Sequence, residues 1–332
     1  MTRAAIRGVG YFVPERVVTN DELTRMMDTS DEWIRERTGI RERRWVEPGE
    51  RGSRMAAEAT RRALERAGLE PGDLDAIVFA TLSPDHYFPG NAVFLQRELG
   101  LNEIPCLDVR DQCTGFLYAL SVADAWIRGG TYGCVAVIGS EIHSVGLDKT
   151  TRGRDVSVLF GDGAGAAIMT AHEGDDGRGV LRVTLGADGR HAEKLWLPAP
   201  GSSYPGFFTP EQIEQGLIYP RMEGREVFKH AVVRMPRAVR EVLDAEGLRV
   251  EDLALLIPHQ ANLRISEAVQ RALGLSDGQV YNNIQRYGNT TAATLPIALA
   301  EAADDARLGA GDLLCLTAFG SGFTWGAALV RW

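Results

Sequence analysis

The fold is decided by a stretch that occurs twice in the chain, as ALERAGLEPGDLDAIVF at residues 63–79 and as VLDAEGLRVEDLALLIP at residues 242–258. Each copy starts with a helical pattern and passes through a glycine, the residue that most often ends a helix. Each then has Asp-Leu and a short apolar run, which predicts a buried strand. The offset of 179 residues therefore indicates two halves with the same order of elements.

Two shorter repeats keep that order. The sequence RELGL at 97–101 recurs as RALGL at 271–275, and VAVIGS at 135–140 recurs more weakly as LTAFGS at 316–321. Repeated supersecondary units indicate duplication. We therefore expect two α/β halves, residues 1–171 and 172–332, with no linker between them.

Both halves alternate helical patterns with apolar runs, which predicts parallel strands covered on both faces, with binding residues at the strand ends. The predicted helices are 54–67 and 226–245, and the predicted strands are 75–81, 104–109, 134–139, 253–257, 279–284 and 313–318. Residues 195–222 have no clear period and are rich in Pro, Gly, Ser and aromatic residues. A loop of this length predicts either a surface excursion or a cover over a site.

Composition narrows the range of functions. The 332 residues include 36 Lys and Arg against 45 Asp and Glu, for a net charge of -9. That balance argues against nucleic acid as a partner. No apolar run reaches the length of a membrane span or a secretory signal, so we expect a soluble cytoplasmic protein with no membrane association. Four cysteines without paired spacing predict neither a disulfide framework nor a zinc site.

Cys113 is the candidate nucleophile. It lies in DQCTGFLYAL, residues 111–120, which follows the predicted strand 104–109 and opens an apolar helix that ends at Gly129-Gly130. Backbone amides and the dipole at a helix N-terminus stabilise a thiolate, so we expect a lowered pKa for this thiol. The alternative is a buried packing cysteine, a common role for the residue.

A nucleophilic cysteine needs a partner, and two strand-end loops offer one. His259 lies in PHQAN, residues 258–262, directly after a predicted buried strand; His86 and His143 also lie near strand ends. Asn289 follows Gly288, which permits a tight turn, and supplies an amide donor. Structural imidazoles, and an Asx turn at Asn289, remain the alternatives.

Two glycine-rich segments have different meanings. GDGAGAA, residues 161–167, does not open a helix, because residues 166–170 are predicted as a strand, so a dinucleotide loop is disfavoured. GSGFTWG, residues 320–326, lies between two apolar strands and predicts a close approach of backbone.

These motifs together resemble the β-ketoacyl-acyl carrier protein synthase III family of thiolase-fold condensing enzymes. The resemblance rests on the segments around Cys113, PHQAN, Gly288-Asn289-Thr290 and residues 318–326. DTSDEWI at 28–34, RTGI at 37–40 and FGDGAGA at 160–166 are also similar to that family. The likeness extends over essentially the whole chain. It implies a thiolase-like fold, two duplicated α/β halves in a layered α-β-α-β-α core.

The resemblance also implies roles for individual residues. Catalysis falls to Cys113, His259 and Asn289, and the oxyanion hole to the backbone amides of Cys113 and Ser321. The remaining implied sites are a coenzyme A and pantetheine entrance at Trp33, Arg37, Arg152 and Asn262, an acyl-pocket wall at Phe88 that acts across a homodimer interface, and carrier-protein docking at Arg264.

Cations near the entrance are further docking candidates, because a carrier protein is acidic and this chain is acidic too. They are Arg221, Arg225 and Lys229, which follow the irregular segment and start the helix at 226; a solvated helix face is the alternative for Arg225 and Lys229.

The expected activity is a decarboxylative Claisen condensation between an acyl group from acyl-CoA and malonyl-acyl carrier protein, through an acyl-Cys113 intermediate, in fatty acid or related polyketide initiation. No metal and no cofactor is expected beyond the coenzyme A thioester substrate. Asp111-Gln112, where better-known members have small residues, leaves the acyl primer open.

Two other activities of the same fold are disfavoured. The first is a synthase III-like acyltransferase of a specialised pathway that acylates a hydroxyl or amine, which would not need Asn289 as an enolate donor. The second is a degradative thiolase, which needs a second active-site cysteine near the C-terminal glycine loop. In this chain that loop has none, and Cys315 lies in a predicted strand.

Overall fold

A computed structural model describes residues 2–204 and 206–332. The strands are β1 Arg3–Phe12, β2 Val17–Thr19, β3 Glu42–Arg44, β4 Ala76–Ala80, β5 Cys106–Val109, β6 Cys134–Glu141, β7 Gly163–His172, β8 Gly179–Ala187, β9 Leu195–Trp196, β10 Arg221–Met222, β11 Leu255–Pro258, β12 Leu313–Gly320 and β13 Thr324–Arg331. The helices are α1 Asn20–Leu23, α2 Asp31–Thr38, α3 Gly52–Ala67, α4 Asn91–Glu98, α5 Gly115–Arg128, α6 Arg154–Ser157, α7 Pro210–Glu214, α8 Gly224–Ala245, α9 Leu263–Leu273, α10 Ile284–Tyr287 and α11 Thr294–Asp304.

Two sheets repeat one spatial order. The first runs β1-β7-β6-β4-β5 and the second runs β8-β13-β12-β11. The quoted repeats occupy equivalent places in them: residues 63–79 join α3 to β4, and residues 242–258 join α8 to β11. The shorter repeats fall at the ends of α4 and α9 and in β6 and β12. The duplication inferred from sequence is therefore the architecture of the fold.

The predicted strand 279–284 is wrong. In its place, one isolated bridge joins Val280 to Leu256, and α10 begins at Ile284. The side chain of Asn283 donates to Glu301 at 2.8 Å, and its backbone amide donates to Gln260 at 3.0 Å. Because side chains take up these polar groups, the chain leaves the sheet edge after a single paired residue.

Strand direction also differs in part from the prediction. The pairs β4–β5, β4–β6 and β11–β12 are parallel, whereas β1–β7, β6–β7, β12–β13 and β8–β13 are antiparallel. The reason is clearest at β12 and β13, which are joined by residues 321–323 alone. So short a connection can only join antiparallel neighbours.

Three apolar clusters pack the helices and the two sheets into five layers. One packs α3 and α4 on the outer face of the first sheet, and another packs α8 and α9 on the outer face of the second. The central cluster packs α5 and α11 between the two sheets. Residues 294–302 of α11 are all buried, as expected for a helix covered on every side. The order α-β-α-β-α predicted for the family is thus observed.

The irregular segment 195–222 is a cover, one of the two expected possibilities. Its ends pair as β9 and β10, with Trp196 opposite Arg221. Between them, α7 starts with a capping box in which Thr209 and Gln212 exchange side-chain and backbone hydrogen bonds. Residues 195–197 face a cavity described below. The segment therefore forms a wall of the candidate site.

Candidate active site

Cys113 lies where β5 gives way to the central helix. It sits in a one-turn 3₁₀ helix, Gln112–Thr114, immediately before α5, and it is buried. The hydroxyl of Thr114 fixes this turn, because it lies 2.6 Å from the Asp111 carboxylate and 2.7 Å from the Thr324 hydroxyl of β13. Cys113, the candidate nucleophile, is thus held between an element of the first half and a strand of the second.

The glycine loop approaches this cysteine as closely as the sequence predicts. A Cβ on Gly320 would lie 2.7 Å from the Cys113 Cβ and 3.3 Å from its sulfur. The next backbone amide, that of Ser321, and the amide of Cys113 both act on this sulfur to lower the pKa of the thiol. Two amides converging on one point have the geometry that stabilises a tetrahedral oxyanion.

The lowered pKa expected for Cys113 is wrong for this structure. Burial, and next the carboxyl groups of Glu141 and Asp111, raise the pKa of the thiol to about 12. The two backbone amides act in the opposite direction but more weakly. Removal of the thiolate from water therefore outweighs the helix N-terminus, and Cys113 is a neutral thiol that must lose its proton during the reaction.

His259 follows β11 and lies deep in the structure. Its backbone amide extends the pairing with β12 by donating to Thr317 at 2.7 Å. Burial lowers the pKa of its imidazole to about 3, so the ring is neutral at physiological pH. Nδ1 lies 2.6 Å from the Thr294 hydroxyl, whereas the buried Nε2 has no hydrogen-bond partner among the described residues.

The hydroxyl of Thr294 controls which nitrogen of His259 carries hydrogen. It lies 2.9 Å from the carbonyl oxygen of Thr291 as well as beside Nδ1. When the Thr294 hydroxyl donates to the Thr291 carbonyl, it accepts from Nδ1–H of His259, and Nε2 is then a base. When it donates to Nδ1 instead, Nε2 carries the hydrogen and becomes a donor. Both roles are needed in a two-stage acyl transfer.

Asn289 is positioned by the turn after α10. Gly288 has φ 63 and ψ -156, a conformation that favours glycine, and its missing side chain leaves room for the Leu159 carbonyl. The backbone amide of Asn289 donates to that carbonyl at 2.8 Å. Its Oδ1 accepts from the Thr291 amide at 2.8 Å, so the Asx turn considered from sequence is present. The side-chain NH₂ has no acceptor within residues 2–204 and 206–332.

A cavity of about 590 Å³ opens at the nucleophile. Cys113, Ser321, Thr291 and His143 line it, and residues 195–197 form part of the opposite wall. His259 and Asn289 do not line it; they lie behind it and are 2% and 5% exposed. Asn289 contacts the Thr291 amide and His259 contacts the Thr294 hydroxyl, and Thr291 lines the cavity.

The candidate entrance residues form two groups. Two guanidinium groups lie against the Trp33 ring, those of Arg37 at 4.7 Å and Arg154 at 4.8 Å. Asn262 caps α9 and donates to the Arg37 carbonyl at 2.9 Å. Arg152 does not contact Trp33: it pairs with Asp148 and lies over the Tyr219 ring at 5.5 Å.

The other implied sites are on the surface. Phe88 is 81% exposed and does not line this chain's own cavity. Arg221, Arg225, Lys229 and Arg264 are all exposed. Arg221 donates to the Gln215 carbonyl at 3.3 Å, and Lys229 lies 3.9 Å from Glu226.

Sequence reasoning missed three residues of the site. Arg154 stands two positions after the implied Arg152, and Thr294 belongs to the threonine-rich run that follows Asn289, so both had local signals. Glu141 at the end of β6 had none, because only the fold shows that it is buried and that burial raises its pKa to about 7. Cys315 lies inside β12, fully buried, which supports the exclusion of a degradative thiolase.

The fold and this site define a class, the thiolase-fold enzymes that transfer acyl groups through a cysteine. Two family descriptions match the chain: 3-oxoacyl-[acyl-carrier-protein (ACP)] synthase III over residues 107–189, and 3-oxoacyl-[acyl-carrier-protein (ACP)] synthase III C terminal over residues 243–332.

Full-length relatives agree. A β-ketoacyl-[acyl-carrier-protein] synthase III of Rhizorhabdus wittichii is 47% identical over 100% of both chains, and one of Roseiflexus sp. strain RS-1 is 45% identical over 99% of this chain and 98% of its own. The crystal structure of 3-oxoacyl-[acyl-carrier-protein] synthase III from Aquifex aeolicus VF5 superposes with a TM-score of 0.90 at 41% identity, covering 99% of this chain and 100% of that one. The chain belongs to the 3-oxoacyl-[acyl-carrier-protein] synthase III family.

Proposed function

We propose that the chain condenses an acyl group from acyl-CoA with malonyl-acyl carrier protein, releasing carbon dioxide and giving a β-ketoacyl thioester that initiates fatty acid synthesis. The observation that carries the proposal is the close approach of the Gly320-Ser321 backbone to Cys113, in a chain whose buried His259 is neutral. Full-length relatives named for this synthase support it.

In the first stage, the Cys113 sulfur attacks the thioester carbonyl of acyl-CoA. The thiol proton passes to Nε2 of His259, the base in the tautomer that keeps hydrogen on Nδ1. The two backbone amides hold the oxyanion. The carbon–sulfur bond to coenzyme A then breaks, the imidazole returns the proton to the leaving thiolate, and acyl-Cys113 remains.

In the second stage, the malonyl thioester loses carbon dioxide as its carbon–carboxylate bond breaks. The electron pair forms an enolate, whose oxygen accepts hydrogen bonds from Nε2–H of His259 and from the NH₂ of Asn289. The enolate carbon attacks the acyl carbonyl, and the bond to Cys113 breaks as the β-ketoacyl product forms. A hydroxyl or amine acceptor is not favoured, since simple acyl transfer does not need an enolate donor.

The remaining assignments complete the proposal. Imidazole and amide groups stabilise the charges that develop, and the Cys113 thiolate released in the second stage takes its proton from solvent, so the proposed reaction proceeds without metal or cofactor. Residues 1–171 carry the nucleophile, and residues 172–332 carry His259 and Asn289. The chain acts in the cytoplasm. Among the described residues, no helix is both long and apolar enough to span a bilayer.

The entrance for coenzyme A and pantetheine is the surface formed by Trp33, Arg37 and Asn262. A tryptophan ring suits stacking against the adenine of coenzyme A. The guanidinium groups beside it suit the phosphates of coenzyme A. Arg154 joins this surface by its contact with Trp33, and Arg152 lies beside it against Tyr219 of the cover.

The protein acts as a homodimer in this proposal. β5 is an edge strand of the first sheet, and Leu107 on it is 38% exposed. Nearby in the chain, Tyr87 and Phe88 are 62% and 81% exposed. An apolar edge of this kind is normally covered. Pairing of two β5 edges would cover it and would bring Phe88 to the acyl pocket of the second copy.

The test follows the two stages separately. Intact-mass measurement after exposure to acyl-CoA should show one acyl adduct, which is absent from Cys113→Ala and present in Cys315→Ala. Addition of malonyl-acyl carrier protein should remove the adduct and release one carbon dioxide per product. An adduct that persists with malonyl thioester but transfers to a hydroxyl or amine would replace condensation by the alternative.

A further inference from the structure

His143 faces the cavity at Cys113 and has no part in the two stages above. His143 follows β6, and its side chain lines the cavity together with Cys113 and Thr291. Its backbone amide donates to Asp162 at 2.7 Å, and Asp162 is fully buried. The imidazole therefore projects from a rigid part of the fold.

The ring is held by two contacts. It lies 4.6 Å from the ring of Phe160, centroid to centroid, and its Nε2 contacts the hydroxyl of Thr291. Nδ1, in contrast, has no hydrogen-bond partner among the described residues and is not enclosed by protein. A polar atom of His143 is thus presented to the cavity.

Much of the wall around it is apolar, with Ile142, Leu147, Leu195 and Leu197 among the lining residues. A plain alkyl chain in this space would cover Nδ1 without pairing it. An unpaired buried polar group costs about 1–3 kcal/mol. An oxygen on the acyl chain would remove that cost.

The charge state of His143 limits what it can recognise. Burial lowers the pKa of this imidazole to about 3, so it is neutral at physiological pH. The Thr291 hydroxyl can donate to Nε2 or accept from it, and Nδ1 is correspondingly a donor or an acceptor. A neutral ring of this kind suits a hydroxyl or a ketone, and it supplies no counter-charge to a carboxylate.

We propose that His143 is a specificity-determining residue that selects acyl-CoA primers bearing a hydroxyl or keto oxygen on the chain over alkyl primers of the same length. This rests on the proposed function, in that the cavity receives the acyl group of a coenzyme A thioester. The contact with Thr291 fixes the ring, and the apolar wall makes the oxygen the distinguishing group.

The experiment compares Cys113 acylation by four-carbon thioesters: butyryl-CoA, 3-hydroxybutyryl-CoA, 4-hydroxybutyryl-CoA and succinyl-CoA. The wild type should favour at least one hydroxylated primer over butyryl-CoA by roughly tenfold in kcat/KM for acylation, as expected for one neutral hydrogen bond in an apolar site. Succinyl-CoA should gain less from His143 than the hydroxylated primers do, because a neutral ring supplies no counter-charge to its carboxylate.

His143→Leu should abolish or reverse the preference, and His143→Asn, which keeps a polar group, should retain most of it. His86→Leu is the matched control, because His86 lines the same cavity but is exposed, and it should leave the ratio unchanged. A wild type that prefers butyryl-CoA, or a ratio that His143→Leu leaves intact while both rates fall, would overturn the proposal. Absence of any adduct on Cys113 would overturn the proposed function instead.

Discussion

Glu141 is a buried carboxyl group that acts on the nucleophile without touching the substrate. Its oxygens accept from the Ser83 hydroxyl at 2.5 Å and from the Leu82 amide at 3.2 Å. Burial nevertheless raises its pKa to about 7. Its charge is one of the causes that raise the pKa of Cys113, so the two groups are linked through pH.

Glu141→Gln should therefore speed alkylation of Cys113 by neutral iodoacetamide at pH 8, on the order of tenfold for each unit by which the thiol pKa falls. The sign follows from the raised pKa of Glu141: above about 7 the wild-type group is charged and opposes the thiolate, and below it the group is neutral. The wild-type and variant rates should converge as the pH falls below that value. Glu50→Gln, at an exposed position on the same cavity, is the control and should leave the rate of Cys113 alkylation unchanged at every pH. A ratio of the Glu141→Gln rate to the wild-type rate that does not vary with pH would contradict the electrostatic explanation.

Asn289 acts only in the malonyl stage of the proposed reaction, whereas His259 acts in both stages. Asn289→Ala should slow condensation by about 10²- to 10³-fold, the usual cost of a lost donor to a developing oxyanion, while Cys113 still acquires its acyl group. His259→Ala should slow both half-reactions, because the base of the first stage and an enolate donor of the second are lost together. Quenched mass spectrometry of both half-reactions measures this, and normal condensation by Asn289→Ala would remove the enolate role.

At the scale of elements, the contact that matters most is between the β12–β13 turn and the turn before α5. It brings Gly320 against Cys113 and the Ser321 amide against its sulfur. Phe323 anchors the far side of the β12–β13 turn by exchanging backbone hydrogen bonds with Asp188 at 2.7 and 3.0 Å. The proposed oxyanion hole is therefore a contact between the two halves.

Gly320→Ala should disrupt that contact. Its Cβ would stand 2.7 Å from the Cys113 Cβ, closer than real atoms approach, so the cysteine or the loop must move. Displacement of about 1 Å at a reacting group can cost 10²-fold in rate, and a loss of that size in acylation is expected. Gly189→Ala, with nothing within 4 Å of its Cβ, is the control; equal acylation by the two variants would show that the contact is not needed.

The whole molecule carries a net charge of -9 yet must bind an acidic carrier protein in this proposal. Arg264 offers a local reversal of that field: it is exposed in the first turn of α9, next to Asn262, which caps that helix. Among the described residues it forms no ion pair, so its charge is available to a partner.

Arg264→Glu should slow the step that uses malonyl-acyl carrier protein, chiefly through association and with a marked dependence on salt, and should leave acylation by acyl-CoA nearly unchanged. Arg271→Glu makes the same charge change at the far end of α9 and should have a smaller effect. Stopped-flow measurements at two ionic strengths test this. Equal losses in both half-reactions would place Arg264 in the shared entrance instead.

Oligomeric state is also a property of the whole molecule. Leu107→Lys puts a charge on the exposed edge of β5 and should convert a dimer to a monomer, because paired edges would bring two such lysines together. Light scattering on the eluting protein measures the mass. A dimer that survives the substitution unchanged would locate the interface elsewhere, and Val233→Lys, at an exposed position on the outer helix α8, controls for added charge.

The sequence by itself indicated the duplication, and its resemblance to a known family indicated the class of fold and the candidate order of nucleophile, histidine and asparagine. These features are local: a helix, a glycine stop and an apolar strand can be recognised within 17 residues, and so can a cysteine before an apolar helix. The mixed strand directions and the absence of a strand at 279–284 could not be predicted, because turn length and side-chain partners such as Asn283 and Glu301 decide them.

Only the tertiary structure decided the electrostatics and the cavity. Burial sets the protonation of Cys113, Glu141 and both histidines, and burial depends on layers contributed by distant parts of the chain. The same holds for the convergence of Ser321 on Cys113 and for His143 beside Thr291, pairs that lie far apart in sequence. A pattern of residue types specifies which chemistry is available, whereas packing fixes the dielectric surroundings and distances that select among its uses.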